Sequence, residues 1–217
     1  MVKRVTIRRH LLGTRILHWA IVIEGIILGL TGMQLGGIWG VRVFPGGGVW
    51  AIHVVTGLAW IFTALFLVYY LVATGEYKWY DCRRLPYACR YLYQEIKAWF
   101  GLGEHVHEPI KYDEKRGEYI EKLVPTEIIV WWLFVVLGVI IMFSGLGMAF
   151  PEQFLPLLQF FDSLKYVFGG GAYSIARSMH LITMFIILGI FILHLYAVFL
   201  YKMVRGIVFG DREEPTV

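Results

Sequence analysis

Four stretches of the chain are apolar almost without interruption: residues 12–37, 49–73, 126–150 and 173–201. Each reaches the roughly 20 residues that an α-helix needs to cross a bilayer. The expectation is an all-α integral membrane protein, a four-helix bundle forming a single domain over residues 1–217. Composition agrees. With 58% hydrophobic and only 17% charged residues, the chain is too apolar for a soluble domain of this size, and no separate region could form one. The first run is long and three more follow, so it reads as a span and not as a cleaved signal peptide.

The polar positions supply the topology. Of the 20 lysines and arginines, 17 lie before or at the start of the first run, between the second and third, or after the fourth, leaving Arg42, Lys165 and, at the start of the fourth run, Arg177 for the other side. The positive-inside rule then puts both termini and the long middle segment in the cytoplasm, and the chain in the inner (plasma) membrane as a multi-pass protein. The pI near 9.0 follows from this topology and from anionic lipid; no motif points to nucleic acid. Within the middle segment, residues 87–100 place aromatics and aliphatics at three- and four-residue spacings, which predicts an amphipathic helix lying on the inner membrane face. Residues 111–122 are dense in charge. The two parts serve either as a docking surface or as a solvated connection. Cys82 and Cys89 are the only cysteines, too few for a cluster, so any iron–sulfur centre belongs to another chain.

Candidate chemistry rests on histidines. Four of the seven lie inside the apolar runs: His18, His53, His180 and His194. His180 and His194 are fourteen positions apart, so they project from nearly the same helix face, roughly 21 Å apart along the axis. With the chain crossing four times, His18 falls level with His194 near the inner side, and His53 level with His180 near the outer side. An imidazole in hydrocarbon needs an interior partner, a proton path or a metal. Two imidazoles from different helices at each level suit a six-coordinate haem, with one nitrogen above and one below the macrocycle. Zinc fits less well, because two ligands per level with no Cys, Asp or Glu beside them fall short of a closed site. Gly25 and Gly32, on the face of His18, and Gly57, one turn beyond His53, offer either room for a flat ring or close helix packing. Arg15, Arg177 and Lys202 lie within about two turns of a ligand and suit haem propionates or membrane-end anchoring equally. Glu24, deep in the first helix, points to a neighbouring subunit or to an internal hydrogen bond. Catalytic triads, phosphate-binding loops and paired carboxylates are absent. The pattern is that of an electron carrier.

The segments Arg15-Ile16-Leu17-His18-Trp19, Thr31-Gly32, Ile52-His53-Val54-Val55-Thr56-Gly57, His180 and His194-Leu195-Tyr196 leading to Lys202-Met203-Val204-Arg205-Gly206 resemble the γ subunit, cytochrome b556, of respiratory formate dehydrogenase. They are also similar to the cytochrome b subunits of nickel-iron hydrogenases and of thiosulfate or polysulfide reductases. The resemblance implies two haem b groups. It further implies electrons passing from an outer-face iron–sulfur subunit, itself fed by a large molybdenum or tungsten formate dehydrogenase or nickel-iron hydrogenase subunit, to menaquinone or ubiquinone near the cytoplasmic side. Lys111-Tyr112-Asp113 is similar to the Lys-Tyr-Asn quinone loop of the formate branch. In this chain, however, about a dozen charged residues separate the triplet from Pro125-Thr126-Glu127, and Glu127 stands where the family has Gln. Thr126 and Glu127, at the membrane surface, complete the candidate quinone site; Glu127 reads either as a proton relay or as a helix-start carboxylate. A haem-free histidine transporter or proton channel, and a purely structural anchor, are the readings from other classes.

Overall fold

A computed structural model describes residues 4–106 and 109–216. Strand β1 (Arg4–Arg8) precedes helix α1 (Leu12–Gly36), followed by α2 (Val49–Ala73), α3 (Leu85–Trp99), the strands β2 (Lys111–Asp113) and β3 (Glu118–Glu121), and α4 (Pro125–Ala149). The short helices α5 (Leu155–Ser163) and α6 (Lys165–Phe168) lead into α7 (Ala172–Leu200), and α8 (Val204–Phe209) and β4 (Asp211–Pro215) close the chain. Helices α1, α2, α4 and α7 are long and apolar enough to cross a membrane, and their ends agree with the expected spans to within one residue. Their large apolar side chains point outward: Phe62, Leu65, Val136, Ile192 and Leu193 are all exposed. In water such a surface would drive association, whereas hydrocarbon tails accept it. The chain is an all-α membrane helical bundle, and it divides into two compact units.

One unit comprises Ile16–Leu67 and Val135–Phe191. Its first connection is fastened by a single side chain: Gln34 donates through Nε2 to the Phe44 carbonyl (2.7 Å) and accepts from the backbone N–H groups of Val43 and Phe44 (2.9 and 3.0 Å). Pro156 sits in the first turn of α5, where its missing N–H costs nothing. Phe161 of that helix then packs on Ile175 and Ala176 near the start of α7.

The other unit comprises Met1–Arg15, Val68–Phe134 and Ile192–Val217. Helix α3 appears two residues earlier than its apolar spacing suggests, and Ala88, Tyr91, Glu95 and Ala98 form its buried stripe. That stripe packs on protein. Ala88 packs with Leu123 and Ile128, and Tyr91 with Ile110, Val124 and Met203. The charge-dense stretch is a β-hairpin, with Tyr112 opposite Tyr119 and Asp113 opposite Glu118. Its turn forms because Asp113 Oδ1 accepts the N–H groups of Lys115 and Arg116 (2.9 and 3.1 Å) and Gly117 takes a left-handed φ of 68°. A second sheet joins the two ends of the chain, β1 antiparallel to β4, from Arg4 opposite Pro215 to Arg8 opposite Asp211.

An ionic cluster fastens this second sheet. The Glu214 carboxylate is 0% exposed and accepts from Arg9 Nη1 (2.7 Å), Arg212 Nη1 (2.8 Å) and the Tyr119 hydroxyl (3.2 Å). Arg9, 3% exposed, also donates through Nη2 to the Lys122 carbonyl (2.6 Å), and Arg212 through Nη2 to that of Tyr201 (2.7 Å). Removing one partner of a buried pair leaves an uncompensated charge and costs about 3–5 kcal/mol, more than the pair itself contributes. Glu214→Ala should therefore lower the thermal unfolding midpoint in detergent and expose β1 to protease. Replacing the whole ionic group, with Arg9→Met and Arg212→Met added to Glu214→Leu, should recover most of that loss. If Glu214→Ala unfolds like the parent chain, the cluster does not hold the sheet.

Candidate functional site

Two of the four intramembrane histidines meet. His53, in the second turn of α2, and His180, in α7, have ring centroids 6.2 Å apart with planes inclined by 68°. Two imidazoles bound to one metal from opposite sides have centroids roughly 6 Å apart, given a metal–nitrogen bond of about 2 Å and a ring radius of about 1.1 Å. Each ring is held by a hydroxyl from a neighbouring helix: Thr31 Oγ1 of α1 lies 2.8 Å from His53 Nδ1, and Ser144 Oγ of α4 lies 3.0 Å from His180 Nδ1. Both hydroxyl residues are completely buried. With Nδ1 engaged in both rings, Nε2 remains as the nitrogen for a metal.

The residue after each hydroxyl is glycine, for a steric reason. A Cβ on Gly32 would stand 3.3 Å from His53 Cε1, and one on Gly145 would stand 3.2 Å from His180 Cε1. Of the two readings of Gly32, room for a flat ring or close helix packing, the packing one holds: it seats His53 of α2 against α1. Gly25 has open space around it, and Gly57 makes an ordinary contact with Leu28 (3.8 Å). Among the described residues no three His, Cys, Asp or Glu side chains group as a metal site. Two imidazoles are fewer ligands than a closed zinc centre takes, and they suit a metal that brings its remaining ligands in a macrocycle.

The remaining histidines are seated among aromatics. His18 stands edge-on to Trp19 (5.6 Å, 87°), and His194 edge-on to Phe134 (6.4 Å, 87°). Of the candidate propionate partners, Arg15 donates through Nη1 to the Val208 carbonyl (2.8 Å), while its buried Nε has no acceptor among the described residues and is a donor suited to an anionic oxygen. Arg177 and Lys202 are exposed at the two ends of α7. Glu24 resolves in favour of an internal bond: Thr63 Oγ1 donates to its Oε1 (3.0 Å), and its Oε2 is buried without a partner.

The candidate quinone residues lie in the unit that carries the ionic cluster. Tyr112 lines a cavity of about 430 Å³ together with Arg8, Arg9, Trp79, Tyr119 and Lys122. Lys111 is exposed on the hairpin, and Asp113 is committed to its turn. Thr126 and Glu127 are half-buried in the first turn of α4, where the helix dipole favours a carboxylate. Arg9 links the two groups. It lines the cavity, and although burial works against its charge, the fields of Glu127 and Glu214 outweigh that and raise its pKa above the ordinary arginine value. Lys122 is shifted the other way, its pKa lowered by burial that the ion pair with Glu76 only partly offsets. Burial and the Glu214 carboxylate push the Tyr119 hydroxyl up. Neither Arg9 nor Ser144 stands out in the sequence: Arg9 is one of several basic residues near the first span, and Ser144 is distinguished only by repeating the hydroxyl–glycine order of Thr31-Gly32.

Four membrane helices with two histidines brought together in the interior define a membrane b-type cytochrome. The prokaryotic cytochrome b561 family matches the chain over residues 9–208, and the chain belongs to that family. It is thus a membrane cytochrome b of electron transfer, with haem b as its cofactor. No curated protein matches the chain. Steric seating of the two imidazoles makes a direct prediction. Gly32→Val and Gly145→Val should each displace an imidazole and diminish the low-spin haem spectrum of the purified protein, whereas Gly25→Val, with space around it, should leave the spectrum intact. Equal spectra from all three variants would show that the glycines do not seat the ligands.

Proposed function

We propose that this cytochrome is the membrane-anchor subunit of a respiratory oxidoreductase, holding two haem b groups and linking an outer-face iron–sulfur partner to a quinone reduced near the cytoplasmic side. The observation that carries the reading is the His53–His180 pair, at the separation that two axial ligands of one iron require. His53 and His180 would hold the outer haem. His18 and His194, matched in depth along the sequence, would hold the inner one, with Arg15, Arg177 and Lys202 as anionic-group partners. Haem, when bound, supplies one-electron chemistry. Held by a histidine on either side, each haem would serve as an electron carrier. The basic residues concentrated on the side of the termini support a cytoplasmic location for them in the inner membrane.

Quinone reduction consumes two electrons and two protons, and the protons must come from a site open to water. Tyr112 faces the cavity beside Arg9 and Lys122, and Glu127 lies within the field of Arg9, so these residues can bind a polar head group and hold a proton near it. Lys111, Asp113 and Thr126 complete the proposed site by the resemblance. The quinone is menaquinone or ubiquinone. The resemblance favours a molybdenum or tungsten formate dehydrogenase as the catalytic partner. A nickel-iron hydrogenase or a thiosulfate or polysulfide reductase is the alternative.

Two experiments test this reading. A pyridine haemochrome assay should return two b haems per chain. His53→Ala and His180→Ala should remove one and the same haem, and His18→Ala and His194→Ala the other, because a six-coordinate centre does not survive loss of an axial ligand. A haem-free chain would favour the transporter reading. At the quinone end, Glu127→Gln should slow quinone reduction by a factor that grows with pH, as proton supply becomes limiting, while both haems stay reducible by the upstream donor. Uniform slowing at every pH, or none, would reduce Glu127 to a helix-start carboxylate.

A further inference from the structure

We propose that Thr31 and Ser144 are positioning residues that fix the tautomer of His53 and His180 and thereby set the potential of the haem these two hold. The proposal rests on the ligand assignment above and adds to it the residues that tune that centre.

The argument turns on where each hydroxyl proton goes. Thr31 Oγ1 lies 2.7 Å from the Ile27 carbonyl oxygen and 2.8 Å from His53 Nδ1. Ser144 Oγ lies 2.8 Å from the Ile140 carbonyl oxygen and 3.0 Å from His180 Nδ1. A hydroxyl has one proton, and a carbonyl oxygen can only accept. Each hydroxyl therefore donates back to its own helix and turns a lone pair toward the imidazole, so Nδ1 must carry the ring proton. The reverse assignment fails twice. It would leave the hydroxyl and carbonyl oxygens at these distances with no proton between them inside an apolar bundle, and it would place the ring proton on Nε2, the nitrogen that has to bind iron.

The same device occurs on both sides of the site. Thr31-Gly32 on α1 receives a histidine from α2, and Ser144-Gly145 on α4 receives one from α7. In each, the hydroxyl accepts Nδ1–H and the glycine leaves room for the Cε1 edge of the ring. Nδ1–H donation raises the electron density at Nε2, which favours the oxidised iron and lowers the potential. The effect is local, so it falls on one haem of the two.

The test uses the full chain in detergent and compares Thr31→Val and Ser144→Ala, which remove the acceptor, with Thr31→Ser, which keeps it. Haem content and the two midpoint potentials are read separately. In Thr31→Val and Ser144→Ala one potential should rise and the other stay, a tenfold change in the oxidised-to-reduced balance appearing as about 59 mV. Thr31→Ser should titrate like the parent. If the acceptor-free variants instead lose that haem, a 10–100-fold weakening of metal retention being typical for such partners, Thr31→Ser must retain it for the proposal to stand. The proposal is overturned if both potentials stay at the parent values in Thr31→Val and Ser144→Ala, or if Thr31→Ser behaves like Thr31→Val. Failure of the ligand assignment would register differently, as retention of both haems in His53→Ala and His180→Ala.

Discussion

A side chain that can form hydrogen bonds, once inside a bilayer, has only the protein to bond with, and an unsatisfied polar group there costs several kcal/mol. In the unit that carries His53 and His180 this constraint accounts for the sequence almost position by position. The helices bury the hydroxyls of Thr31, Ser144 and Thr183 and turn many leucines, phenylalanines and valines outward, the reverse of a water-soluble bundle. Thr31 and Ser144 satisfy their own oxygens within one turn and still present a lone pair to an imidazole. The helices approach closely at Gly32 and Gly145, where a Cβ would crowd the imidazole edges at 3.3 and 3.2 Å. The histidine pair is thus the outcome of several separate satisfactions, each of which excludes most other residues at its position.

The unit with the chain ends solves a different problem, that of holding a concentration of charge at a membrane boundary. Charges of opposite sign are drawn into one buried network, in which Glu214 receives Arg9, Arg212 and Tyr119, while Lys122 pairs with Glu76. The same network fixes both ends of the chain, because Arg9 follows β1 and Glu214 lies in β4. A buried ion pair is seldom a net source of stability, but it does specify geometry, since any other register of these two strands strands a charge. The cavity lined by Arg9, Lys122 and Tyr112 owes its shape to this specification.

What the sequence makes legible follows the range of the forces involved. The four spans could be read to within a residue because a lipid environment imposes one local rule, an apolar run of fixed length. The amphipathic helix α3 was readable by period, but not its use, since apolar spacing is the same for a lipid-facing and a protein-facing stripe. The hairpin of residues 111–121 went unrecognised because its strands are short and charged and its turn depends on Asp113 and Gly117. The β1–β4 pairing joins residues some 200 positions apart and leaves no local signature. Depth matching could nominate His53 and His180, yet it could not find Ser144, or reassign Gly32 from the His18 face to His53, because both depend on which helix faces which.

Electron transfer and proton transfer make opposite demands on the protein, and on the proposed function the chain answers them with different residue chemistry. An electron site works best where ligands are rigid and water is excluded, so that changing the iron's charge does not require the surroundings to rearrange; buried hydroxyls locked to helix carbonyls meet that demand. Proton delivery needs groups whose charge can change, and a fixed tautomer would block it. The titratable side chains Glu127, Tyr112, Tyr119 and Lys122 are accordingly found in the charged unit, and the one carboxyl of α1 that lies within a span, Glu24, is bonded to Thr63 and not to a ligand histidine. Keeping movable protons away from the imidazoles preserves the Nε2 lone pairs that metal ligation requires, which makes the partition of residue types a condition for both reactions in one short chain.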